Sequence, residues 1–165
     1  MSLDKFQMSS ELVYELYKNS LVALDSSQRK PESLNSEKPA FLGNHTKNLL
    51  ILVRCANALH LDEQSLQLLI GILSACKLTM DDVAVFNIHQ HEVVNDEYLI
   101  QHFQPQKIIC FGIEATADLS IPKNIFEPTE RNNIQWISSP PLEQINGDVQ
   151  MKKSLWNGLK IFFGL

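Results

Sequence analysis

The spacing of apolar residues changes character several times along the chain. From Ser9 or Ser10 to Leu24, Leu12, Val13, Leu16, Tyr17, Leu21 and Leu24 recur at three- and four-residue intervals. That period predicts an amphipathic helix, with "SSEL" supplying its N-cap. "DSSQRKPESLNSEKP", Asp25 to Pro39, has no period, is rich in serine and holds two prolines, which is the composition of a linker. The helix is therefore expected to be set off from the rest of the chain, either folded back on the core or tethered for docking into a groove of a partner.

From Asn48 onward, short continuous apolar runs alternate with longer amphipathic ones. "NLLILVR" (Asn48–Arg54) predicts a strand buried on both faces. Asp81–Ile88, Lys107–Gly112 and Ile134–Ser138 predict three more core strands, the last preceded by an edge segment and a polar turn. Helices are expected between them. Asp62–Leu78 carries the stripe Leu66, Leu69, Ile70, Leu73 and Cys76, with Asp62 as N-cap. Asn95–Phe103 stops before Pro105, and Ile113–Leu119 reads as a short helix after Gly112. "GDVQMKKSLWNGLKIFFGL" closes the chain as a helix with Val149, Leu155, Trp156, Leu159, Ile161, Phe162 and Phe163 on its apolar side. Alternation of strand and helix predicts an α/β fold with a mainly parallel four-stranded sheet and helices on both faces. The expected organisation is a helix over 1–25, a linker over 26–47 and an α/β domain over 48–165.

Composition narrows the class. The chain has 165 residues and 44% hydrophobic content, enough for one domain with a true core and a small appendage. Its net charge is −5, so direct nucleic-acid binding is expected to be weak or absent, because phosphate contacts need clustered cations. Lys152, Lys153 and Lys160 of the last helix form the one candidate patch, and an ordinary solvated face explains them better. No apolar run reaches ~20 residues, so no membrane span is expected. No charged stretch leads into an apolar one at the start, which predicts a cytoplasmic chain. Cys55, Cys76 and Cys110 are far apart and lack a C-x-x-C pairing, so they read as buried free thiols, and neither metal nor cofactor is expected. "HQH", His89 to His91, is the only close histidine pair and has no carboxylate or cysteine at ligand spacing.

In a parallel sheet the loops after Arg54, Ile88, Gly112 and Ser138 share one edge, where ligands bind. None is a phosphate cradle: G-x-G-x-x-G and G-x-x-x-x-G-K-[ST] are both missing. Ser138 or Ser139 with His89 or His91 could form a nucleophile and base, but no G-x-S-x-G elbow supports this. A serine before proline at a strand end is ordinarily a turn residue.

"LLIGILSACKLTMDDVAVFNIHQHE", "QPQKIICFGIEATADL" and "QWISSPPLEQINGDVQMKKSLWNGLKIF" resemble, in order and spacing, passages of the uracil-DNA glycosylase superfamily. The resemblance implies a three-layer α/β/α fold. It aligns Asn87 with the family's base-reading Asn. Where the family carries its water-activating carboxylate this chain reads Arg54, Cys55, Ala56 and Asn57. Where the family carries its anion-stabilising His it reads Ser138, Ser139, Pro140 and Pro141. With Gly112, these residues (Arg54, Asn57, Asn87, Gly112, Ser138 and Ser139) would form a degenerate pocket with no catalytic residue. The segment Ser10–Leu24, the linker Asp25–Pro39, "CANALHLDEQSLQLL", "LTMDDVAVFNI", "PQKI" and "ISSPPLEQI" before Trp156 resemble the psi subunit family of bacterial DNA polymerase III. That resemblance implies a non-catalytic adaptor. Its N-terminal segment would dock on the clamp loader, and its folded domain would bind a chi-like subunit. An unusual DNA-repair glycosylase reading a base through Asn87 is the alternative.

Overall fold

The computed structural model describes residues 39–165. The helix expected over 1–25, with Leu12, Val13, Leu16, Tyr17, Leu21 and Leu24, and the linker expected as far as residue 38 lie outside the described residues.

Five strands, β1 (Leu49–Val53), β2 (Val83–Asn87), β3 (Lys107–Phe111), β4 (Thr129–Arg131) and β5 (Ile134–Ser139), form one mixed sheet in the order β2-β1-β3-β5-β4. β1 pairs in parallel with β2 and β3, and β3 with β5. β4 runs antiparallel to β5, so the expected four-stranded sheet is in fact a five-stranded mixed one. The addition is a hairpin. Asn132 and Asn133 sit at φ 54° and 62°, the left-handed pair that a tight primed turn requires and that asparagine tolerates well. All three β4 residues are exposed, and its Glu130 and Arg131 blunt a free sheet edge.

The apolar runs are buried on both sides because both faces are covered. Leu49, Ile51, Val53, Val83, Val85, Ile109, Phe111 and Ile137 point to one face. There they meet α1 (Glu63–Ala75), α3 (Leu142–Gly147) and α4 (Val149–Phe163) through Leu69, Leu73, Ile145, Leu155, Leu159 and Phe162. Leu50, Leu52, Ala84, Phe86, Ile108, Cys110 and Trp136 point to the other face, against Leu99 and Phe103 of α2 (Asp96–Phe103). Each fully buried Leu, Ile or Phe contributes roughly 1.5–3 kcal/mol. Side-chain caps set the helix starts: Asp62 accepts from Ser65 N at 3.0 Å, Asn95 from Tyr98 N at 2.7 Å and Asp148 from Gln150 N at 2.8 Å.

Several elements differ from expectation. Ile113–Leu119 is irregular rather than helical. Gly112 turns the chain at φ 65°. Thr116 Oγ1 then accepts from Leu119 N at 3.2 Å, Asp118 O accepts from Asp96 N at 3.1 Å, and the Asp96 carboxylate accepts from Ser120 N at 2.9 Å. Turn and α2 cap thus engage the polar groups that a helix would need, while Ile113, Leu119 and Ile121 still bury against the sheet. Ile70, Val149 and Ile161 are 43%, 66% and 74% exposed, not core. At 100° per residue Ile161 lies 200° from Leu159, on the far side of α4. α3, unforeseen, follows directly from the Pro140-Pro141 corner. Residues 41–47, expected as part of the linker, run along the edge of β2, where Leu42 and Val85 exchange backbone bonds of 2.9 and 2.7 Å.

Candidate functional site

The strand order locates the site. From β1 the chain passes to β2 on one side, and from β3 to β5 on the other, so the neighbours β1 and β3 flank the switch point of the sheet. Their carboxyl ends, Val53 and Phe111, open on a cleft of about 190 Å³ that Arg54, Asp62, Pro141 and Leu142 also line. Ligand pockets ordinarily hold ~300–1,000 Å³. The crevice is small because Leu142, 4% exposed, and Pro141 lie across it.

Asn87 ends β2 and is 2% exposed. Its Oδ1 accepts from Cys55 N at 3.0 Å and His89 N at 3.1 Å. Its Nδ2 donates to Cys55 O at 2.7 Å, Ala58 O at 3.1 Å and Leu59 O at 3.2 Å. A base-reading amide must present its donor and acceptor outward. Here both are engaged in tying the loop after β1 to the loop after β2. Asn57 is exposed within the tied loop, and Arg54 is exposed at the rim of the small cleft.

Gly112, Ser138 and Ser139 line a separate depression of about 610 Å³ beyond β3 and β5, together with Lys123 and Gln144. Pro141 stands between the two spaces and lines both. Ser139 O accepts from Gly112 N at 2.9 Å, and Ser138 O from Phe126 N at 2.8 Å. The Ser139 hydroxyl donates to Pro140 O at 3.3 Å. A Cβ on Gly112 would lie 2.7 Å from Pro141 Cγ, so the glycine and the proline corner require each other. No histidine lines either space, and a serine needs an adjacent base to become a nucleophile. The structure thus divides the six expected pocket residues among a rim, an exposed loop, a buried clamp and a second depression.

The titratable groups nearby serve the fold. The Ser65 backbone N–H holds the Asp62 carboxyl below the usual Asp range, as suits a helix cap. His89 lies within a 3₁₀ turn at Ile88–Gln90, and His91 caps its end. His89 is exposed, while His91 packs tilted against Phe86, ring centroids 4.6 Å apart, where burial lowers its pKa. Burial pushes the Cys76 and Cys110 thiols up, away from the reactive thiolate. Among the described residues no group of three or more His, Cys, Asp or Glu is placed to hold a metal ion.

A feature not foreseen from the sequence lies on the helical face. An apolar groove of about 350 Å³ runs between α1 and α4, lined by Leu68, Gly71, Ile72, Leu155, Trp156 and Lys152 among others. A mid-helix glycine at Gly71 and a half-buried tryptophan were the available signals.

The sequence matches the family described as DNA polymerase III psi subunit over residues 26–160, most of the chain, which therefore belongs to that family of non-catalytic accessory subunits. No curated protein matches the chain. Among the described residues no helix is long and apolar enough to cross a membrane.

Proposed function

We propose, from this membership of the psi subunit family, that the protein is an adaptor of the clamp-loader assembly of the replicative polymerase and works without chemistry of its own. Its N-terminal segment, with Leu12, Val13, Leu16, Tyr17, Leu21 and Leu24 as apolar stripe, docks on the clamp loader in helix-in-groove fashion. The part of the expected linker before residue 41 gives that segment reach, and the α/β domain, with residues 41–47 along its edge, holds a chi-like subunit. The fold is that of a uracil-DNA glycosylase relative whose pocket has closed, and the setting is cytoplasmic. The observation that carries the reading is the family match over residues 26–160. The inward bonds of Asn87 and the narrow crevice at the switch point support it, and they speak against base excision through Asn87.

The test is a pull-down of purified clamp loader by the full chain and by a chain lacking residues 1–25. The full chain should retain the loader and the shortened one lose it. Unchanged retention would refute the assigned role of the segment.

A further inference from the structure

The groove between α1 and α4 carries two features that the fold itself does not require. The first is Gly71, at the middle of α1. A Cβ there would meet nothing within 4 Å, so no close packing calls for glycine, which weakens a helix interior relative to alanine. Gly158 on α4 is the contrast, because a Cβ there would run into the Phe126 carbonyl oxygen and Ile137. Gly71 instead keeps the floor of the groove open.

The second feature is charge. Lys152 lines the groove, and Lys160 lies over the Trp156 ring with its Nζ 5.5 Å from the centroid. Among the described residues the only ion pair is Lys47–Asp82, so neither lysine is salt-bridged, although Asp148 caps the helix one turn before Lys152. Lys152 also sits in the first turn of α4, where a cation opposes the helix dipole. Two cations against an apolar floor, on a chain of net charge −5, complement an acidic and apolar ligand.

We infer that this groove is the docking site for a segment of a partner subunit that presents a leucine or aromatic anchor flanked by Asp or Glu. The anchor enters over Gly71 and packs on Leu68, Ile72, Leu155 and the exposed side of Trp156. The flanking carboxylates pair with Lys152 and Lys160. The inference rests on the adaptor role proposed for the chain and gives the folded domain its own binding surface, separate from the N-terminal segment.

The test mixes the full chain with each purified subunit of its DNA polymerase III assembly in turn and measures affinity by titration calorimetry. Gly71→Leu fills the floor without clashing, so it should melt no lower than the parent chain. It should weaken one subunit by about tenfold or more. Lys152→Glu with Lys160→Glu should weaken the same subunit, and high salt should weaken the parent complex. A photo-crosslinker at Gln67 should capture, in that subunit, a peptide with an apolar residue beside Asp or Glu. If every subunit that binds the parent chain binds Gly71→Leu equally, the groove is refuted while the adaptor role stands. If no subunit binds the parent chain, the adaptor role fails and the inference with it. If Gly71→Leu only dissolves a homodimer, a second copy is the occupant and the acidic partner is refuted.

Discussion

Replacing Asn87 by alanine separates a structural clamp from a base reader. The Nδ2 group has two protons facing three carbonyls within 3.2 Å, so with the two bonds accepted at Oδ1 the side chain makes at most four full hydrogen bonds. Each contributes ~1 kcal/mol net, and carbonyls of the exposed loop partly rehydrate after the truncation. The expected loss is roughly 2–4 kcal/mol, a fall of about 10 °C in Tm. Urea unfolding followed by far-UV circular dichroism measures it. Hydrogen exchange should rise in residues 54–60 and at His89, and stay unchanged in β3. Asn87→Asp keeps the acceptor bonds but turns a carboxylate toward the three carbonyls, so it should be at least as costly. The clamp is refuted if Asn87→Ala unfolds within ~0.5 kcal/mol of the parent. It is equally refuted by uracil excision in the parent chain that Asn87→Ala abolishes.

Three further outcomes are expected. Gly112→Ala combines a positive φ of 65° with a Cβ 2.7 Å from Pro141 Cγ; it should cost roughly 2–4 kcal/mol, and Pro141→Ala in the same chain should recover part of that in a double-mutant cycle. Gly158→Ala should lower the urea midpoint markedly, because its Cβ meets the fixed Phe126 carbonyl, whereas Gly71→Ala should raise it by roughly 0.5–1 kcal/mol equivalent. His91 titrates lower in the fold than its ordinary value of 6.5 because it is buried. The unfolded chain therefore takes up its proton first as pH falls, and stability should decline between that value and the lower folded one. Melting at pH 7.5 and 5.5 checks the sign, and His91→Phe should flatten the slope; a parent chain no less stable at pH 5.5 would contradict it.

Local periodicity was enough to read the elements with strong patterns. The run Leu49–Val53 could only be a strand buried on both sides, and Asp62 announced α1 with the hydrogen bond it makes. That Arg54 to Asn57 holds no carboxylate and Ser138 to Pro141 no histidine was also visible as letters. Where the pattern was mixed, context prevailed. Ile113–Leu119 had apolar spacing suited to a helix, yet its polar groups bond to α2 and its own turn. The edge segment and polar turn expected before the last strand became a hairpin closed at Asn132 and Asn133, whose outer arm pairs as a fifth strand.

The sequence by itself determined the α/β class and the order of the four core strands. Tertiary structure alone decided that Asn87 faces inward, that Pro141 and Leu142 narrow the crevice, and that Gly71 and Trp156 leave a groove open between two helices. The reason is one of range. Which face of a helix or strand is buried is encoded over a few neighbouring residues. Whether an amide finds its partners 28 to 32 positions away, or a space between α1 and α4 is filled, depends on segments that meet only once the chain has folded.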